Sequence, residues 1–153
     1  MNHIFIDDGL TRSSLRGLKQ ISTFVQPIES ELTELGLTEN QIQTALDLKV
    51  RMAGIRILPE AEVENIPGCP VLTVFTSAYK PQREDYAIYA ISLGLTQTIL
   101  LTREQAIESV GLTWGCGPIL GILGEGQTEH LRNKIKDLAD NFVFAYLSVN
   151  PKQ

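Results

Sequence analysis

Histidine, cysteine, runs of positive charge and long apolar stretches are all scarce in this chain, and each scarcity removes a class of function. There are two histidines, His3 and His130, far apart in the sequence. No second histidine, cysteine or carboxylate stands at ligand spacing from His130, whereas a metal site needs three or four converging ligands. No metal is expected. The two cysteines, Cys69 and Cys116, form no CxxC, so neither a redox motif nor a zinc knuckle is present. They read as two small buried thiols, and a disulfide between them would need an oxidising compartment. No GxSxG elbow presents a serine nucleophile. Gly115, Gly117 and Gly121 are spaced GxGxxxG with Pro118 after the second glycine, which is neither a P-loop nor the dinucleotide fingerprint. The expectation is a protein with no catalytic residues and no cofactor, and not an enzyme.

Charge and hydropathy narrow the partners. Thirteen basic residues are outnumbered by 18 acidic ones, for a net charge of −5. The basic residues are scattered, so nothing in the chain tracks a phosphate backbone, and nucleic acid is not an expected partner. An anionic membrane surface is disfavoured for the same reason. The longest apolar stretches, such as Pro118 to Leu123, fall far short of the roughly 20 residues needed to span a bilayer. Asp7-Asp8-Gly9 stands where the apolar part of a signal peptide would begin. The default expectation is therefore cytoplasmic, with export as the alternative if a leader precedes the chain.

What is present is architectural. From Asp85 to Leu101 alternate residues are apolar: Ala87, Tyr89, Ile91, Leu93, Leu95, Ile99 and Leu101. That period of two predicts a long strand with one face in the core. Leu18 to Pro27, Ile55 to Leu58, Val71 to Phe75 and Val110 to Cys116 read as further strands, with a segment Ile119–Leu123 after the last. Thr102 to Glu108 reads as a polar loop, with one helical turn as the alternative. Trp114, in phase with Val110 and Leu112, is expected in the core. Ile42, Ala45, Leu46, Val50 and Ala53 recur at helical spacing. Thr38 and Gln41 fit a capping box, Leu37 and Ile42 fit its hydrophobic staple, and Gly54 fits the stop. A second helix begins with Thr128 as N-cap and buries Leu131, Ile135, Leu138, Phe142, Ala145 and Tyr146. Residues 1–17 carry no periodicity and read as an N-terminal arm before a single domain, 18–153.

Several of these segments also carry a resemblance. They are Leu37-Thr38 through Asp47–Ile55, Tyr89–Leu93, Thr113-Trp114 with Gly117 and Gly121, and Ile135–Phe142 with Tyr146–Pro151. In these the chain resembles an uncharacterised family of small bacterial α+β proteins of unknown function. The resemblance implies no activity and no catalytic residues. Members that look like this often have an export leader.

The expected fold is α+β: a mostly antiparallel or mixed sheet of four to five strands, with the Thr38 and Thr128 helices packed on one face. The Thr38 helix joins two strands, so part of the sheet is free to be parallel. The other face of the long strand carries Tyr86, Ile88 and Ala90. Left uncovered, these would hold apolar area in water, which predicts a homo-oligomer or a protein partner. The expected role is a non-catalytic, self-associating interaction or binding module, with Phe5, Tyr86 and Ile88 as interface candidates. The alternative is a small-molecule binder, its groove near Trp114, Gly115, Cys116 and Gly117 and extending to Gly126.

Overall fold

The computed structural model describes residues 6–152. Five strands, β1 (Gln20–Val25), β2 (Arg56–Ile57), β3 (Val71–Tyr79), β4 (Tyr86–Leu101) and β5 (Glu104–Gly124), form one mixed sheet in the order β2-β1-β3-β4-β5. Five helices accompany them: α1 (Gly9–Ser13), α2 (Ser30–Glu34), α3 (Glu39–Met52), α4 (Glu60–Val63) and α5 (Thr128–Val149). β1 is parallel to both β2 and β3, and the remaining pairs are antiparallel. The parallel pairs follow from connections that cross the sheet through α3 or α4, since parallel neighbours cannot be joined by a tight turn.

The helix α3 starts and stops where its sequence signals predict. The Gln41 amide donates to Thr38 Oγ1 at 3.3 Å and the Thr38 amide to Gln41 Oε1 at 3.2 Å. Leu37 and Ile42, the staple, are both buried. Gly54 has φ +88°, a left-handed conformation that ends the helix with no Cβ to strain. α5 begins one residue earlier than expected. Gln127, not Thr128, is its N-cap, and no side chain caps it. Gln127 Oε1 instead accepts the Gly124 amide at 2.9 Å, holding the turn that leads in from β5. Lys49 and Asp140 join the two long helices at 2.6 Å.

Both helices lie on one face of the sheet. Leu46, Val50, Leu93, Ile135, Leu138 and Phe142 are all buried in a single core cluster with Trp114. From Ala87 to Leu95 every inward-pointing residue of β4 is buried, as the alternation predicts.

Four local readings are corrected. The N-terminal segment is in part a helix, α1, capped by Asp8 through a reciprocal bond with Thr11. Leu15 after it is fully buried. The acidic connector Glu60–Glu64, read from the sequence without a helix, contains the short helix α4, whereas the helical turn that the sequence allows within Ile28–Gly36 is present as α2. Residues 102–108 are not a loop: β4 turns at Thr102-Arg103 straight into β5. Finally, Val110 and Leu112 do not share a face with Trp114. A register shift opposite Leu95/Thr96 inserts one residue in β5, and such a bulge swaps the faces beyond it. Val110 is 72% exposed while Trp114 is 1% exposed.

Candidate functional site

Trp114 and its glycine neighbours belong to the core and the sheet edge. The Trp114 ring meets Phe142 edge-on at 5.3 Å, and Phe142 stacks in turn on Tyr146 at 6.4 Å. Gly115 is buried and its amide donates to the Ile6 carbonyl at 3.1 Å, which covers part of the outer edge of β5. Cys116 is buried and its thiol lies 3.8 Å from the Leu138 carbonyl. Burial, with a contribution from the Asp7 charge, pushes that thiol up to about 12. It stays protonated at neutral pH and is no nucleophile. Gly117 is exposed, with φ +101°, in the bulge opposite Ser92. Gly121 sits beneath the Tyr89 ring, where a Cβ would come within 2.5 Å of Tyr89 Oη. These glycines therefore make a bulge and an aromatic approach. A residue as enclosed as Trp114 forms no wall of an open groove.

Asp7 is the polar hub of this end of the molecule. Its Oδ1 accepts from Arg12 Nε at 2.6 Å and from Trp114 Nε1 at 2.9 Å, and its Oδ2 accepts from Arg12 Nη2 at 2.9 Å. The Arg12 bonds, the largest effect, lower the carboxyl below the ordinary aspartate range; burial, next in size, opposes them, and the Trp114 bond and the Arg12 charge add to the lowering. The N-terminal segment is tied down at its other end too. Asn150 at the end of α5 bonds the Gly17 amide at 2.7 Å and the Leu15 carbonyl at 2.9 Å. Tyr146 donates to the Leu18 carbonyl at 2.9 Å.

The sheet face opposite the helices is open over β3, β4 and β5. Strand register sets its rows. Tyr79 pairs with Ile88, which pairs with Ile122; Ser77 pairs with Ala90, which pairs with Leu120. Tyr79, Ile88, Leu120 and Ile122 are 63%, 45%, 71% and 62% exposed. Tyr86 and Ala90 are half-buried in the same area. Beyond Thr96, where β3 ends, β4 pairs only with β5, so the hairpin runs on past the sheet. Leu100, Ile107 and Val110 are exposed on it. Phe5, with Ile4, lies outside the described residues. Ile6 sits at the β5 edge rather than over this face.

A cleft of about 460 Å³ lies at the other edge of the sheet. Phe24, Ile57, Leu58 and Val71 contribute its apolar surface, and Thr23, Gln43, Asp47 and Arg51 its polar side. Thr23 Oγ1 donates to Asp47 Oδ1 at 2.6 Å, and Gln43 Nε2 reaches both, at 2.7 and 2.8 Å. Sequence reasoning missed this cleft. The one signal was Thr23, a polar residue in the inward row between Ile21 and Val25.

Among the described residues no three histidine, cysteine or acidic side chains gather as metal ligands would. His130 is exposed on the first turn of α5. Among the same residues no helix is long and apolar enough to cross a membrane.

No family model and no curated protein matches the chain, in keeping with its resemblance to an uncharacterised family. Among solved structures it is similar to a minor lipoprotein from Acinetobacter baumannii, at 10% identity over 83% of this chain and 91% of that one, with a TM-score of 0.38. So loose a superposition carries nothing about role.

Proposed function

We propose that this chain is a non-catalytic interaction module of the cytoplasm that self-associates through the open face of its sheet. The observation that carries the reading is the pair of cross-strand rows containing Tyr79, Ile88, Leu120 and Ile122, all well exposed on adjacent strands. Monomeric proteins rarely leave such side chains contiguous in water. The free thiol of Cys69, half-buried and unbridged, suits a reducing compartment.

Magnitudes set the kind of association. Covering each of the four side chains contributes about 1–2 kcal/mol, a part of the value for a fully buried aliphatic or aromatic residue. Two copies cover eight such side chains, so the sum, about 8–16 kcal/mol, is of the same size as the rigid-body cost of association, about 4–15 kcal/mol. The association is therefore weak and depends on concentration, rather than being required for folding. Light scattering over a concentration series tests it. The mass should rise with concentration for the wild type and stay at one chain for Ile88→Glu, with both proteins equally folded. A wild type that remains one chain at the highest concentrations overturns the reading.

A further inference from the structure

We propose that the cleft beside β1 is a second, separate binding site, which takes an extended peptide as an added strand. The strand β1 has an unfinished outer edge. β2 pairs with it only at Gln20 and Ile21. Leu58 makes one more bond, its amide to the Ile21 carbonyl at 2.8 Å, and Pro59 then leads away into α4. The amides of Ser22 and Gln26 turn inward, to Pro70 and Val74 of the β3 side, each at 3.0 Å. By the alternation of a strand, the backbone groups of Thr23 and Val25 turn outward. The cleft opens there.

Parts of the other edges are taken up. Glu29 Oε2 accepts the Ala78 amide at 2.8 Å where β3 runs past the end of β1. β5 is interrupted by bulges and partly covered by Ile6. Ser22 to Val25 has no lysine, proline or bulge, the usual devices that keep an edge from pairing. An open edge flanked by a helix is where strand addition occurs: main-chain bonds supply the affinity and alternate side chains the specificity. At about 460 Å³ the cleft has room for a few residues of extended chain.

The two sides of the edge state what the peptide carries. On one side Phe24 is 46% exposed and favours an apolar side chain. On the α3 side, Asp47 takes both of its bonds on Oδ1, so Oδ2 is left to accept from something else. Glu60 adds a second carboxylate to the lining against the one guanidinium of Arg51. The occupant is an extended segment alternating apolar with basic residues.

The test is an NMR titration of the full-length protein with a short, end-capped peptide of alternating valine and lysine. The amides of Thr23, Val25 and Leu58 should shift together. The same peptide N-methylated along its backbone should bind about tenfold more weakly or worse, the factor that one lost main-chain bond of ordinary strength implies. Asp47→Lys should turn the preference toward a valine–glutamate peptide. If that variant does not fold, the N-methyl comparison on the wild type still decides. No shift at β1 overturns the proposal. So does equal binding of the N-methylated peptide, or shifts confined to Ile88, Leu120 and Ile122 on the open face.

Discussion

At the scale of the residue, Asp7 has the most consequential chemistry in the described chain. Its carboxylate bonds Arg12 and the indole of a buried tryptophan, and its pKa is lowered as a result. A group with a lowered folded-state pKa contributes stability that is present above its unfolded pKa and lost as pH falls through the folded one. Asp7→Asn should therefore be less stable than wild type at neutral pH. The gap should narrow below the ordinary aspartate pKa of about 3.9, as the wild-type carboxylate takes its proton. Urea unfolding at a series of pH values measures this, and a gap independent of pH rejects it. Phe142, fully buried between Trp114 and Tyr146, should cost about 3–5 kcal/mol when truncated to alanine. Trp114 was legible as a core residue, but its bond to Asp7 was not. That bond spans most of the chain, and no local pattern announces a contact at such separation.

At the scale of the element, legibility followed the number of agreeing local signals. α3 had a cap, a staple, a stripe and a stop, and all of them hold. Thr38→Ala should cost about 0.5–2 kcal/mol by removing the acceptor of the Gln41 amide. Gly54→Ala should cost about 1–2 kcal/mol, the usual expense of a left-handed Cβ. Thermal or denaturant unfolding of the two variants checks both values. β5 was legible only in pieces. Its register shifts move Val110 and Leu112 to the opposite face from Trp114, and period-two reading assumes that no residue is inserted. Its outer end, Glu104 to Ser109, is mostly polar and exposed because it pairs with β4 beyond the sheet, so it lacks the apolar alternation that marks a half-buried strand. The N-terminal segment read as an arm for a related reason. Its ties run to Trp114, Gly115 and Asn150, all distant in sequence. Deleting residues 1–14 should lower the melting temperature, because Asp7 and the Ile6 carbonyl are lost from β5. An unchanged melting temperature would mean that these ties contribute nothing.

At the scale of the whole molecule, the sheet has one face sealed by α3 and α5, one face left apolar and open, and the outer edge of β1 left unpaired beyond Ile21. The sealed face was legible in the alternation of β4 and the stripes of the two helices. The open face was legible in part, through Tyr86, Ile88 and Ala90. Its full extent was not, since Tyr79, Leu120 and Ile122 join Ile88 and Ala90 only through strand register. The unpaired edge of β1 was not legible at all, because it arises from how short β2 is.

Self-association through the open face is tested most directly by mixing isotope-labelled and unlabelled chains and recording only contacts between molecules. The methyl groups of Ile88, Leu120 and Ile122 should give contacts to the unlabelled partner that strengthen with concentration and vanish in Ile88→Glu. Contacts absent at every concentration, or arising from other residues while these methyls stay silent, would contradict the account.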